Sequence, residues 1–395
     1  MVEYSPFSKE VMGGDPYPIY SRLRDEAPAY LIEQYNARAI SRFEDVWQSS
    51  MDNEHFSCEQ GTTAAHLLTK VQPVTPMINM MDPPAHTKLR AKIRTHFSPR
   101  ALGQLEPMIR KLAGELIEGA RDKGELDVMG GFASQIAVRV ACTVNGIPLE
   151  DGDLLNGLVT RFFGREPGVD GMTPDGLAAM GELATYFVGL AQSRRGNCDP
   201  EENVVNLLTA IEFDGQKLDD ASIASHLTML IIGGAETFPK VFANGIRRLG
   251  EHPEQRAQLA ADPSLIPDAF QEILRYDMPT QFLCRTVTKE FELHGQKFET
   301  GQPVLFLYPS ANRDPREFEN PEVFDIRRCP PRILSFGHGT HACLGIHVAK
   351  LEGRLCIEET LKRVPNYEIH LDRADRLVTD FVQGYASFPI TFDPY

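Results

Sequence analysis

Residues 336–347 read FGHGTHACLGIH. One cysteine, Cys343, and three histidines, His338, His341 and His347, fall close together there, and all four are metal-ligating types. A structural zinc site takes its ligands in two pairs, spaced C-x₂₋₄-C and H-x₃₋₅-H. Here the next cysteine along the chain, Cys356, falls well inside the periodic segment that follows. His341 and Cys343 are two apart, so in an extended segment they point to opposite sides and do not converge. What is left is the chemistry of a single sulfur. Leu344, Val348, Leu351 and Leu355 carry helical spacing, which predicts an amphipathic helix with Cys343 at its N-terminus. Backbone N–H groups and the helix dipole at such a position lower a thiol's pKa. Gly337, Gly339 and Gly345 allow tight turns and close backbone approach to something flat.

A lone thiolate in an N–H-rich loop suits the axial position of a haem iron. FGHGTHACLG resembles F-G-x-G-x-H-x-C-x-G, the haem-binding loop of the cytochrome P450 family. By that resemblance the cofactor is haem b (iron protoporphyrin IX), and Cys343 is the only protein ligand of its metal. Phe336 packs near the sulfur, Gly337 and Gly345 shape the loop, and His341 faces a propionate. His338 and His347 are read as loop and helix-surface residues.

A second motif sits in the segment ASIASHLTMLIIGGAETFPKVFANGIRRL, for which Asp219 and Asp220 are candidate N-caps and Gly250 a candidate C′ residue. A helix is expected over 219–249, weakened at its middle. Gly233 and Gly234 each cost about 1 kcal/mol relative to alanine, and Pro239 about 3 kcal/mol. Pro239 also deprives the carbonyl of Ala235 of its helical donor. Thr237 can reach the carbonyl of Gly233, a contact that bends helices. GGAET resembles the family's A/G-G-x-D/E-T motif on its central distal helix. The resemblance makes Glu236 and Thr237 the acid–alcohol pair that passes protons into the dioxygen site. Phe238 departs from the family, where Thr or Ser often follows the alcohol.

MDPPAHTKLRAKIRTHFSPR (81–100) resembles the family's D-P-P-x-H-x-x-x-R stretch. His86 and Arg90, four apart on one helical face, are thereby expected on haem propionates together with Arg285 and His341. QEILRY resembles the E-x-x-R helix, and it is followed by the family-like ANRDP and FDIRR. Glu272, Arg275 and Arg328 are expected to form a supporting network on the proximal side.

The resemblance also maps a substrate pocket: Leu67, Leu68, Met77, Met80, Phe162, Phe163, Ile231, Gly234, Phe238, Phe282, Leu283 and Tyr385. Most are apolar, and no acidic or basic side chain is expected to reach in. Methionines such as Met77 and Met80 suit an adaptable wall. A lipophilic substrate of terpenoid, steroid or aromatic type follows.

The elements that must position these groups are mostly helical. Periodicity predicts helices over 100–125, 135–146, 178–194, 264–276 and 344–363 besides the long one. Extended stretches are few and late, at 282–287, 290–297, 303–308 and 381–392. Long irregular stretches fall at 56–82, 164–176 and 309–340. The expected fold is mainly α with small β-sheets: the cytochrome P450 fold, a single domain over 1–395, with haem between a long distal helix and a proximal Cys loop. The chain has 395 residues and a net charge of −15, which disfavours nucleic acid as a partner. The N-terminal stretch carries no signal-peptide pattern and no apolar run suits a membrane anchor. Seven scattered cysteines without C-x-x-C fit a reducing cytoplasm.

The activity implied is that of a haem-thiolate monooxygenase. It would hydroxylate or epoxidise its substrate with O2 and two electrons. The electrons would come from a ferredoxin and its ferredoxin reductase, since the chain carries no flavin or iron–sulfur motif. Residues 86–100 hold Lys88, Arg90, Lys92, Arg94 and Arg100 and no acid, a basic patch for an acidic partner, with Lys350 and Arg354 extending it. The alternatives are a peroxygenase, isomerase or oxidative coupling enzyme, or a non-catalytic haem sensor.

Overall fold

The computed structural model describes residues 2–394 apart from 74, 167–169, 197 and 214. Residue 74 of the irregular stretch 56–82, and residues 167–169 of the stretch 164–176, therefore lie outside the described residues. Helices dominate, as the periodicity predicts: Glu106–Ala120, Ser134–Asn145, Gly152–Phe163, Pro174–Arg194, Ile266–Tyr276 and Ile346–Arg363. Their ends follow local chemistry. The Thr173 hydroxyl accepts from the Gly176 N–H at 3.1 Å and caps one helix. Gly146, at φ 79°, ends another, and a Cβ there would stand 2.1 Å from Asn203 Cγ.

The long helix expected over 219–249 is two helices, Asp220–Ala235 and Thr237–Glu251, interrupted at Glu236. Asp219 is the N-cap, its Oδ1 accepting from the Ser222 N–H at 2.7 Å. The break falls three residues before Pro239, which has no N–H for the carbonyl of Ala235. Gly250 is not the C′ residue expected. The helix runs on to Glu251, and Gly250 instead lets Ile369 approach: a Cβ there would sit 2.5 Å from Ile369 Cγ2.

Strands are not all late. A five-stranded sheet has the order Ala29–Ile32, Ala37–Ile40, Pro303–Phe306, Leu283–Val287, Phe56–Ser57. Three of its strands come early in the chain. Ala37–Ile40 is buried at every position, so it lacks the alternation that marks a strand, and alanine is a weak β-former. The segment 381–392 is two short strands in different sheets, Tyr385–Ser387 and Pro389–Thr391.

Two apolar cores lie on either side of the helix break. One joins Ser134–Asn145, Gly152–Phe163, Pro174–Arg194 and Asp220–Ala235 through Val138, Leu155, Leu183, Phe187 and Leu227. The other joins Glu106–Ala120, Thr237–Glu251, Ile266–Tyr276 and Ile346–Arg363 through Ile109, Ile246, Ile273 and Leu355. Each such buried side chain contributes about 1.5–3 kcal/mol of transfer free energy. Gly353 sets the spacing of the last two helices, since a Cβ there would lie 2.4 Å from the Phe270 ring. Among the described residues no helix is long and apolar enough to cross a membrane.

Candidate active site

Between the broken helix and the Cys343 loop lies a cavity, with about 350 Å³ open to the centres of water-sized molecules. Gly233, Gly234, Thr237 and Phe238 line it on one side, and Phe336, Gly337, Cys343 and Gly345 on the other. The loop is folded by its glycines and one backbone bond. Gly337 and Gly339 take φ of 65° and 69°, and the Cys343 N–H donates to the Phe336 carbonyl at 2.7 Å. Gly339 passes so close to helix Phe43–Met51 that a Cβ would strike the Ser50 carbonyl. His338 stacks on Trp47 with centroids 3.5 Å apart, the loop role read for it from the sequence. His347 is exposed on the helix that follows.

Cys343 is accessible because it faces the cavity, yet protein surrounds it. Burial therefore pushes its thiol up, while the Gly345 N–H and the Arg90 guanidinium pull it down. This reverses the direction expected from a helix N-terminus. The helix begins only at Ile346, so Cys343 precedes it.

At the cavity edge His86, on helix Ala85–Ile93, meets His341, with ring centroids 4.1 Å apart. Arg90 and Arg285 stand with them. His86 Nδ1 and His341 Nε2 are buried without a hydrogen-bond partner among the described residues. Burial, then Arg90, pushes His86 down to about 4. Burial, then Arg285, His86 and Arg90, pushes His341 down to about 2. Arg285 donates to the Cys284 carbonyl at 2.8 Å, and Arg90 to the Ala342 carbonyl. Two guanidiniums and two unsatisfied imidazoles at one edge fit a ligand bearing carboxylates. With one sulfur aimed into the same cavity, the donor set fits haem b.

On the opposite side, Glu236 and Thr237 do not act on the cavity alike. Thr237 lines it, and no hydrogen bond joins its hydroxyl to Gly233 among the described residues. Glu236 is outside the lining and pairs with Lys240, Oε1 to Nζ 2.7 Å, the two side chains 6% and 8% exposed. Burial raises the Glu236 carboxyl, and Lys240 opposes that.

The proximal network forms as the motif implies. Arg275 donates to both Glu272 oxygens at 2.7 and 2.8 Å, with both side chains fully buried. Arg328 Nε reaches Glu272 Oε1 at 3.2 Å.

Of the pocket residues expected, Met77, Phe162, Phe163, Gly234, Phe238 and Leu283 line the cavity. Leu67, Leu68 and Phe282 pack instead with Tyr20 and Leu23 beside the five-stranded sheet. Ile231 packs into the core between helices, and Met80 is buried in a short 3-10 helix outside the lining. Tyr385 turns to Phe388, its hydroxyl accepting from Arg247 at 3.0 Å. Sequence reasoning missed Met172, Met180, Met229 and Phe381 in the wall. It also expected no charged side chain there, whereas Arg165 and Asp380 line the cavity. They come from loops 215 residues apart, which no periodic pattern marks.

Residues 264–380 match the family model described as Cytochrome P450. Cytochrome P450 123 of Mycobacterium tuberculosis is 36% identical over 95% of this chain and 94% of its own. Vitamin D(3) 25-hydroxylase of Pseudonocardia autotrophica is 32% identical over 96% and 94%. Among solved structures, CalO2 superposes with a TM-score of 0.88 at 29% identity, covering all of both chains. A mutant of P450 EryK in complex with erythromycin B gives 0.87 at 27% identity, covering 95% of each. The chain thus belongs to the cytochrome P450 family, as an oxidoreductase of the monooxygenase type whose cofactor is haem b.

Proposed function

We propose that this protein inserts one atom of O2 into a lipophilic small molecule, of terpenoid, steroid or aromatic type, by hydroxylation or epoxidation. One observation carries the reading: Cys343 and Thr237 line the same mostly apolar cavity from opposite sides. Haem b, when bound, supplies the reductive activation of dioxygen. Cys343 would hold its iron through the sulfur, in the loop shaped by Phe336, Gly337 and Gly345. His86, Arg90, Arg285 and His341 would hold its propionates. Thr237 would hold a proton at the cavity wall, with Glu236 behind it as the source. Phe162, Phe163, Phe238, Met77 and Leu283 would exclude water and press the substrate toward the reacting centre.

Kinship supports a lipophilic substrate. One relative is named as a hydroxylase of vitamin D(3), and one solved neighbour holds erythromycin B. The whole chain, 1–395, would act as one domain in the cytoplasm, reduced by a ferredoxin and its reductase. Lys92, Arg94 and Arg100 are exposed and suit an acidic partner. Arg354 adds little to that patch, because Glu106 and Glu358 pair with it at 2.9 and 3.1 Å. The test is turnover under ¹⁸O₂ with a ferredoxin system and a panel of lipophilic compounds. One labelled oxygen atom in the product supports the reading. Product formed only with hydrogen peroxide, or unlabelled product, contradicts it.

A further inference from the structure

The wall of the cavity carries an ion pair that an apolar substrate does not explain. Arg165 Nε lies 2.8 Å from Asp380 Oδ1, and the two side chains are 4% and 3% exposed. Both line the cavity. The pair is held from both sides. Arg165 Nη1 donates to the carbonyls of Phe162 and Gly164 at 3.1 and 3.0 Å. Beside it, the rings of Phe163 and Phe381 stack in parallel at 5.1 Å. The turn bearing Asp380 is pinned by the Gln281 N–H to the Phe381 carbonyl at 2.9 Å, and by the Thr379 N–H to the Met12 carbonyl at 2.9 Å.

A buried ion pair is a weak source of stability, since an apolar pair of similar volume often does as well. This one sits where a ligand must pass or rest. Its own hydrogen bonds use Nε and Nη1 of Arg165 and Oδ1 of Asp380. Among the described residues nothing bonds Nη2 or Oδ2, and these two atoms can serve a ligand.

We propose that Arg165 and Asp380 form a polar anchor that selects a neutral amphiphile: an apolar body bearing one hydroxyl or primary amide group. The selection is electrostatic. A hydroxyl or amide can donate to Asp380 and accept from Arg165 at once. A carboxylate would satisfy Arg165 but face the Asp380 charge in a dehydrated site, and an ammonium would face Arg165. A hydrocarbon would leave both groups unmet, which a site built for hydrogen bonding penalises. The anchored end would lie by Phe163 and Phe381, leaving the apolar body to fill the rest of the cavity. This deepens the reading above and rests on it.

The experiment uses the haem-loaded protein and four probes of equal chain length: dodecan-1-ol, dodecanamide, dodecanoate and dodecane. Affinity is read both from the ferric low-to-high-spin shift and by calorimetry, which needs no spectral change. Hydrogen bonds to charged groups predict that the alcohol and the amide bind at least about tenfold tighter than dodecanoate and dodecane. In the double variant Arg165→Met, Asp380→Leu that preference should vanish, with dodecane gaining. Arg165→Lys, which keeps the charge, should retain it in part. Dodecanoate binding as tightly as the alcohol, an unchanged ranking in the double variant, or no binding of any probe would overturn the proposal. Loss of the haem-thiolate reading would show separately, as a ferrous carbonyl complex without the thiolate-type band.

Discussion

Glu236 Oε1 stands 2.7 Å from Lys240 Nζ, one helical turn along, and both side chains are nearly buried. The acid expected to feed protons to the cavity is therefore engaged from behind, in the helix that starts just after the break. Gly384 presses on the lysine stem, where a Cβ would sit 2.8 Å from Lys240 Cγ. The lysine is thus confined as well as paired.

Removing that partner should be visible in stability against pH. The Glu236 carboxyl is raised by burial, so the folded state binds its proton more tightly than the unfolded state does. Its contribution is fully present below the ordinary carboxylate range and is lost as pH rises through the raised value. Lys240→Met raises it further. At pH 8 the variant should lose on the order of 3 kcal/mol, and distinctly less at pH 5, where the acid can stay neutral. Melting curves at the two pH values check this, and an equal loss at both would contradict it.

Thr237→Ala removes the one hydroxyl at the helix break that lines the cavity. Haem and substrate binding should persist, while electrons are diverted from product to hydrogen peroxide. The ratio of peroxide formed to electrons supplied measures this. An unchanged ratio would assign proton transfer to another group.

Glu272→Ala leaves Arg275 buried without its carboxylate and removes one of the acceptors of Arg328. Breaking a buried pair by one partner costs about 3–5 kcal/mol. The variant should melt far lower and retain little haem. A variant of near-native stability would show that Arg275 is satisfied by its other acceptors, the carbonyls of Asn312 and Pro321.

Reversing Lys92 and Arg94 to Glu should slow reduction by ferredoxin while leaving substrate affinity alone. The wild-type rate should fall as salt rises, because steering between exposed charges is screened. Insensitivity to both changes would place docking elsewhere.

How much of this was legible depended on how local each signal is. The Cys343 loop, the E-x-x-R pair and the Asp219 cap are short-range patterns, and each appears in the structure at the residues expected. The break at Glu236 was half visible: Pro239 announced a weak helix, but not where it would part. The buried strand Ala37–Ile40 left no alternation to find. Gly250 was misread because a glycine that ends a helix and one that admits Ile369 look alike in a sequence. Leu67, Leu68, Phe282 and Tyr385 failed to reach the cavity because an apolar side chain near a site can turn either way. Arg165 and Asp380 meet only through the tertiary fold, and neither belongs to a local motif.

The central claim is that Cys343 alone ligates the haem iron. The ferrous carbonyl spectrum of Cys343→Ser, beside the wild type, tests it most directly. The wild type should show the long-wavelength band of a thiolate-ligated haem, and the variant should lose it while keeping its helical content. Retention of that band in the variant, or purification of the wild type with zinc and no haem, would contradict the account.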